Sequence, residues 1–332
     1  SIYEILDSVT CTLSSGRTMK KRVLYIESGA FKDCTSMTSV YIPNSITEIG
    51  DSAFYGCTNL LSITISDNLS SIGKSAFYDC RSLATVNFDA TNCSMGSADK
   101  PVFEGCTSLS NINIGENVTK IPNYAFAKSG LTSVTIPSWI TNVGNSAFAY
   151  CSNLTTINFN SANCTMGSVP IFEGCSALWN INIAENVTNI PAYAFAKSGI
   201  SSISLPNWIT NIGNSAFFNC TGISGLLSIP NSVEAIGESA FSGCSGLKEI
   251  VIPDSVTSIG YRAFDECYNL TSVYYTGDIA GWCNILGLGE ILYYCDNLYI
   301  NNELIAGNLI IPDSVTSIGD SAFAHCSSLT SI

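Results

Sequence analysis

The chain has 332 residues, of which 46% are hydrophobic and 12% are charged, and its formal net charge is −13. This composition supplies enough apolar material for a large core, while the negative charge disfavours nucleic acid and anionic membrane surfaces as partners. The sequence contains no run of 18 apolar residues, so we expect no membrane insertion.

A motif recurs along the chain at intervals of about 23 residues, a period typical of solenoids, in which each coil buries its apolar face by stacking on its neighbours. The motif reads Ala-Phe-x-x-Cys-x-x-Leu-x-x-Val/Ile-x-Ile-Pro, with its phenylalanine at Phe31, Phe54, Phe77, Phe103, Phe126, Phe148, Phe172, Phe195, Phe217, Phe241, Phe264 and Phe323. The repeat predicts one elongated domain over residues 1–332.

A single coil, taken as residues 34–57, predicts one short strand and a tight return. Val40 and Ile42 alternate with Tyr41 as in a strand, and Pro43 ends it because proline has no backbone N–H to donate. Asp51-Ser52 resembles a helix N-cap and predicts a single helical turn at the following Ala-Phe pair.

A glycine ends the Ile-x-x-Ile segment of seven coils, and it predicts either a left-handed backbone or close packing between coils. These glycines are Gly50, Gly73, Gly144, Gly213, Gly237, Gly260 and Gly319. Two coils place Pro122 and Pro191 there, and proline cannot adopt a positive φ. Either those two coils bend differently, or the glycine serves close packing.

The motif closely resembles the BspA-like, or Treponema-type, bacterial leucine-rich repeat, with its C-x-x-L-x-x-I-x-L-P-x-x-L-x-x-I-G-x-x-A-F consensus. The resemblance implies an α/β-horseshoe leucine-rich-repeat solenoid with parallel strands on the concave face, an irregular or single-turn helical convex side and little α-helix. It also implies an exported or surface-displayed protein, without catalytic residues. We assign residues 1–25 to an N-terminal capping coil, 26–273 to regular repeats, 274–308 to an aromatic-rich interruption that loses the repeat, and 309–332 to resumed repeats.

A longer duplication overlies the repeat. The stretch from Cys80 to Cys151 is echoed by the stretch from Cys151 to Cys220, and both share the sequence Asn-Cys-Ser/Thr-Met-Gly-Ser at 92–97 and 163–168. A block of three coils has therefore been copied.

Ten of the fifteen cysteines occupy one position of the repeat: Cys34, Cys57, Cys80, Cys106, Cys151, Cys175, Cys220, Cys244, Cys267 and Cys326. Ser129 and Ser198 replace cysteine there in two coils, which favours a buried ladder of small, interchangeable residues over disulfides. The better candidates for pairing lie off the ladder, at Cys11, Cys93, Cys164, Cys283 and Cys295, and the Cys283–Cys295 pair is left open. Without a C-x-x-C pair near a histidine, no metal site is expected.

No catalytic constellation is visible. His325 is the only histidine, the carboxylates are scattered singly, and no nucleophile elbow, zinc-protease or phosphate-loop motif is present. We therefore expect a protein that is not an enzyme and takes no cofactor. Because the chain starts at Ser1 without a methionine and stops at Ile332 within a repeat, we expect the natural protein to be longer, with its export signal outside this chain.

The outward positions of the strands are almost all small, uncharged and able to form hydrogen bonds. They predict a binding face whose candidate residues are Tyr41, Asn111, Asn113, Asn158, Trp179, Asn180 and Asn182. The same face is also interpretable as a solubilising surface, and Trp179 as either an interface anchor or a packing residue.

The interruption offers an alternative binding site, because long nonrepeat insertions in solenoids often carry binding, or else an aromatic plug between imperfect coils. Its candidate residues are Tyr274, Tyr275, Trp282, Tyr293 and Tyr294. The leading hypothesis is a noncatalytic extracellular or cell-surface protein that mediates adhesion by binding a protein or glycan on a host or neighbouring cell. The alternative hypothesis is a passive spacer or accessory module for another domain.

Overall fold

The computed structural model describes residues 2–12, 18–288 and 291–332. The chain forms two compact units, Ser1–Ser176 and Ala177–Ile332, and each is described by itself. Both are leucine-rich-repeat solenoids of parallel strands with almost no helix, as the repeat predicted. The assignment of residues 1–332 to one elongated domain stays a prediction.

Most regular coils contribute one longer strand to a surface that we call the strand face, although residues 201–206 form none. In the first unit these strands are Ile2–Glu4, Ser39–Tyr41, Ser62–Ile65, Thr85–Phe88, Asn111–Ile114, Ser133–Ile136 and Thr156–Phe159. In the second unit they are Asn180–Ile183, Gly225–Ser228, Leu247–Ile252, Ser272–Tyr275 and Asn297–Ile300. Neighbouring strands pair in parallel at matching repeat positions, such as Ser62 with Thr85 and Ile63 with Val86. Their Val, Ile and Phe side chains alternate inward, which fits the period of a strand.

A second row of two-residue strands, the short-strand row, follows the proline turn. In the first unit it consists of Tyr25–Ile26, Glu48–Ile49, Ser71–Ile72, Ser94–Met95, Lys120–Ile121, Asn142–Val143 and Thr165–Met166. In the second unit it consists of Asn189–Ile190, Asn211–Ile212, Ala235–Ile236 and Ser258–Ile259.

The Ala-Phe segment of each coil forms successive turns, and the helical turn predicted from Asp51-Ser52 is wrong. Ser52 has a φ of 55° and Gly56 a φ of 69°, and such left-handed residues interrupt a right-handed helix. Between them, the N–H of Phe54 donates to the carbonyl of Ala76 in the next coil at 2.8 Å. The turns therefore bond from coil to coil, and the Phe rings point into the core.

The repeated glycine serves close packing. Gly50, Gly144 and Gly237 do not have positive φ values, and a Cβ on any of them would lie 2.5–2.6 Å from a backbone nitrogen of the preceding coil. Real Cβ atoms do not approach that closely, so a larger residue would separate the coils. Gly319 is different, since the nearest atom to its Cβ would be Ile285 O at 3.6 Å.

The core of each unit contains a stack of phenylalanine rings. Phe54 and Phe77 have ring centroids 5.0 Å apart and planes only 2° apart, and Phe217 and Phe241 repeat the arrangement at 5.2 Å. These rings are fully buried, so the stack fills the space between the strand face and the turns.

The N-terminal segment, assigned to a capping coil, contains both antiparallel and parallel strand pairing. Ser8–Thr12 and Thr18–Arg22 pair antiparallel, while Ile2–Glu4 pairs in parallel with Ser39–Tyr41. The side chain of Cys11 lies outside the described residues.

The interruption at 274–308 contains one imperfect coil of the solenoid. Asn297–Ile300 pairs in parallel with Ser272–Tyr275, and the helix Ile279–Asn284 replaces the proline turn. Asp278 caps this helix through a bond from Gly281 N. The chain then turns antiparallel at Glu303–Leu304, and the last strands, Gly307–Asn308 and Leu329–Ser331, pair in parallel.

Candidate functional site

The cysteine ladder is a row of thiols that hydrogen-bond to the coil before them. Cys57 Sγ donates to the carbonyl of Phe31 at 3.1 Å, and Cys151 Sγ donates to that of Phe126 at 3.2 Å. The ladder residues between Cys57 and Cys267 are buried, and the fourteen described cysteines, including Cys283 and Cys295, are free thiols. Burial, with the neighbouring Cys80 thiol, raises the pKa of Cys57 to about 12, so these groups stay protonated and unreactive.

Serine is not a simple substitute for cysteine in this ladder, as the sequence interpretation assumed. Ser129 Oγ donates to the carbonyl of Phe126 in its own coil at 2.7 Å. The turn between this phenylalanine and the leucine before the next strand is one residue shorter than in the flanking coils. Leu131 follows Phe126 by five positions instead of six. The next strand, Ser133–Ile136, does not pair with Asn111–Ile114 among the described strands. The strand face is therefore broken at this shortened turn, between Asn111–Ile114 and Ser133–Ile136.

The predicted binding residues of the first unit lie in three sheets, with Tyr41 in one, Asn111 and Asn113 in the second and Asn158 in the third. Asn113 Nδ2 donates to Asn87 Oδ1 at 2.7 Å on one side of the break, and Asn158 Nδ2 donates to Thr135 Oγ1 at 3.1 Å on the other. Asn111 and Asn113 are exposed on an edge strand, and their amides lie 3.4 Å apart. Tyr41 is 56% exposed on Ser39–Tyr41.

In the second unit, Trp179 directly precedes the strand Asn180–Ile183 and is 60% exposed. This exposure does not fit the packing role that was one interpretation of the sequence. Asn182 is also exposed and Asn180 is half-buried, while Ile183 points into the core. An aromatic ring and amide groups therefore share one solvent-accessible part of this unit.

The aromatic residues of the interruption separate into core and surface groups. Trp282 and Tyr275 are buried, and Trp282 Nε1 donates to the carbonyl of Ala322 in the last coil at 2.8 Å. These two residues are therefore packing residues, and their prediction as binding residues is wrong. Tyr274 is half-buried and stacks on Tyr299 with ring centroids 4.6 Å apart.

A surface cluster of rings, which the sequence interpretation only partly identified, includes the predicted Tyr293 and Tyr294. Tyr294 packs edge-on against Tyr268 at 5.1 Å, and Tyr293 packs against His325 at 5.5 Å. The missed signal is proximity to cysteine in the sequence: Tyr268 follows Cys267, His325 precedes Cys326, and Tyr294 precedes Cys295, which the sequence interpretation placed off the ladder.

The described part of the chain contains no grouping of three His, Cys, Asp or Glu side chains suited to a metal ion. Within the same residues, no helix is long and apolar enough to cross a membrane.

The sequence matches the family described as "BspA type Leucine rich repeat region (6 copies)" over residues 10–98, 96–224, 223–281 and 291–332. The chain belongs to the BspA-type leucine-rich repeat family. This membership confirms the resemblance drawn from the repeat consensus. No curated protein matches the chain.

Several solved structures are similar to this BspA-type repeat chain. A leucine-rich repeat protein from Bacteroides ovatus is 24% identical with a TM-score of 0.50, covering 82% of this chain and 86% of its own. A leucine rich cell surface protein from Faecalibacterium prausnitzii is 22% identical with a TM-score of 0.33, over 86% and 90%. The T. pallidum leucine rich repeat protein is 25% identical with a TM-score of 0.34, over 60% and 78%. Only the Bacteroides structure reaches 0.50 among these three, and it shows the fold alone.

Proposed function

We propose that this BspA-type repeat protein is a noncatalytic binding protein, displayed outside the cell, that attaches to a protein or glycan on a host or neighbouring cell surface. The observation that carries the proposal is the exposed ring of Trp179 beside the amides of Asn180 and Asn182. Tryptophan is enriched at the energetic centres of interfaces because it combines a large apolar area with a polar N–H group.

The amides next to Trp179 add directional recognition to this apolar area. Each carries one acceptor oxygen and a donor NH₂ group, so the pair can bond to sugar hydroxyls or to a peptide backbone. Asn182 is exposed and Asn180 is accessible in part, which lets a flat ligand contact the ring and the amides together. The ligand class stays open between protein and glycan.

The first unit offers amides of the same kind. Asn87 bridges Thr64 and Asn113, accepting from Asn113 and donating to Thr64 Oγ1 at 3.2 Å. Amides that bond to neighbouring coils are held in fixed orientations. We expect the Trp179 region to supply most of the binding energy, because it adds an exposed aromatic ring to such amides.

Display outside the cell rests on family membership and on the composition. A net charge of −13 and an uncharged polar strand face suit a protein that stays dispersed in solvent until it meets a specific surface. Free, buried thiols are compatible with an exported protein because burial raises their pKa values and so suppresses oxidation.

The experiment is a binding screen of the purified chain on arrays of glycans and surface proteins, followed by titration of any ligand found. Trp179→Ala should weaken the ligand at least tenfold, which corresponds to about 1.4 kcal/mol. Leu61→Ala is the matched control, because Leu61 holds the same repeat position in another coil and is 55% exposed. It should change the affinity by less than about twofold.

The spacer hypothesis predicts that no ligand appears in this screen. Equal loss of affinity in Trp179→Ala and Leu61→Ala would show nonspecific hydrophobic binding and would contradict a specific site at Trp179.

A further inference from the structure

The short-strand row of the first unit is interrupted at one coil boundary. Four strands, from Tyr25–Ile26 to Ser94–Met95, form one sheet, and three strands, from Lys120–Ile121 to Thr165–Met166, form another. Among the described strands, no pairing joins Ser94–Met95 to Lys120–Ile121, although the two are consecutive in the row. Two open sheet edges therefore face the same boundary.

At Pro122 the short-strand row lacks a hydrogen bond that joins neighbouring coils elsewhere in the row. In regular coils the repeated glycine donates its N–H to the coil before, as Gly73 does to Ile49 O at 2.7 Å and Gly144 to Ile121 O at 2.8 Å. Pro122 occupies this glycine position and has no N–H, so it cannot donate to the carbonyl of Met95.

The proline ring also prevents the two coils from approaching. A Cβ at Gly144 would lie 2.5 Å from the backbone nitrogen of Asn123, which shows how close neighbouring coils come at this position. Pro122 carries a Cβ and a full ring at the equivalent point, so its coil must stay further from the coil before it. The missing N–H group and the bulk of the proline ring therefore both separate the two coils at this boundary.

The opening is a cavity of about 340 Å³. One wall is the duplicated motif, with Asn92, Cys93 and Met95, and the other wall holds Lys120, Ile121 and Tyr124. Cavities of this size lie at the lower end of those that hold ligands. The duplicated Asn-Cys-Ser-Met-Gly-Ser sequence thus lines a specific place in the fold.

The two edges carry unpaired backbone groups. In a parallel ladder each strand both donates and accepts, and in this row Ser94 N, for example, donates to Ser70 O at 2.9 Å. The Ser94–Met95 edge and the Lys120–Ile121 edge therefore each present N–H and C=O groups to the cavity. A single extended backbone can pair with both edges, because alternate residues of a strand point their N–H and C=O groups to opposite sides.

We propose that this gap binds an extended, acidic peptide segment of a partner protein, which pairs with Ser94–Met95 on one side and Lys120–Ile121 on the other. Lys120 is the one charged residue among those lining the cavity, and its exposed ammonium selects a carboxylate in the segment. The site is separate from Trp179, which lies in the other unit, so the two proposals succeed or fail independently.

A peptide selection tests the site. A phage library of random linear peptides is selected on the immobilised full chain, and enriched peptides are synthesised and titrated. We expect sequences that contain Asp or Glu. Pro122→Gly restores the N–H donor and removes the ring, so it should close the gap and weaken the peptides at least tenfold.

Two further variants make the result specific. Lys120→Gln should weaken acidic peptides severalfold and remove most of the salt dependence of binding. Pro137→Ala should bind as the wild type, because Pro137 follows Ser133–Ile136 and does not line the cavity. Circular dichroism of each variant shows that it is folded. The proposal is overturned if no acidic peptide is enriched, or if the enriched peptides bind Pro122→Gly as tightly as the wild type.

Discussion

The thiol of Cys80 donates a hydrogen bond of 3.2 Å to the backbone carbonyl of Phe54, 26 residues earlier in the sequence. The bond links the start of one coil to the aromatic stack of the coil before, in a site that is fully buried. The cysteine of the consensus therefore supplies a weak donor as well as a small apolar volume.

Replacing this donor should lower stability. Cys80→Ala leaves the buried carbonyl of Phe54 without its S–H partner and a small void beside it, which should lower the free energy of unfolding by about 1–2 kcal/mol. Urea titration measures the change. Asp67→Ala, at an exposed position, is the control and should shift the value by less than about 0.5 kcal/mol. Equal effects of the two variants would contradict a structural role for the thiol bond.

The buried thiols should resist alkylation while the chain is folded. Burial raises the pKa of Cys93 and of Cys267 to about 12, so the nucleophilic thiolate is scarce at neutral pH. Iodoacetamide should modify these residues only after denaturation, as measured by mass spectrometry. Cys34 is partly accessible and should react first, which provides an internal reference. Detection of ladder disulfides in the native protein would show the ladder interpretation to be wrong.

Stability should fall in alkaline solution. The pKa of Cys57 is 9.0 in the reference state and about 12 in the folded chain, so the folded state holds its proton more tightly. The stabilising contribution of the protonated Cys57 thiol is fully present below about pH 9 and is lost as the pH rises toward about 12. In that range the unfolded chain forms a thiolate at Cys57 that the folded chain does not form. Thermal midpoints measured across this range should decline, and Cys57→Ser should reduce the slope of the decline. A midpoint that stays constant to pH 11 would argue against this linkage.

The packing glycines predict opposite results for the same substitution. Gly237→Ala places a Cβ 2.6 Å from Asn214 N and should lower the free energy of unfolding by about 1–3 kcal/mol. Gly319→Ala meets only Ile285 O at 3.6 Å and should be neutral or stabilise by up to about 1 kcal/mol. Chemical denaturation of both variants distinguishes close packing from a general intolerance of side chains at this repeat position.

Trp282 should hold the last coil against the interruption. Trp282→Phe keeps an aromatic ring but leaves the carbonyl of Ala322 without its 2.8 Å bond, so stability should fall by about 1–3 kcal/mol. Hydrogen exchange should increase most strongly around Ala322. Trp179→Phe, at an exposed position, should leave exchange unchanged. Faster exchange in both variants would indicate that the bond has no specific role.

The period of the repeat was enough to predict the solenoid, the inward Phe and Ile residues and the place of each strand. These features depend on side-chain polarity at fixed spacing, which the sequence displays directly. The left-handed Ser52 was not predictable in this way, because a serine before Ala-Phe has the same local appearance as a helix N-cap. Hydrogen bonds to the next coil determined its conformation.

The candidate binding residues were less predictable than the fold. Trp179 and Trp282 are both isolated tryptophans in the sequence, yet the structure exposes the first and buries the second. Burial of Trp282 depends on a contact 40 residues away, at Ala322, which no local pattern reveals. The break at Ser129 was readable in principle, since the segment from Phe126 to Leu131 is one residue shorter than the same segment in the two flanking coils.

The interrupted row at Pro122 also determines how the first unit responds to mechanical load. Where the row is intact, as between Ser71–Ile72 and Ser94–Met95, short-strand pairing adds to the turn bonds. At the Pro122 boundary that pairing is missing among the described strands, and the turn bond from Gly105 N to Lys128 O is 3.4 Å long. We therefore expect tension on the first unit to separate this boundary before those that keep the short-strand pairing.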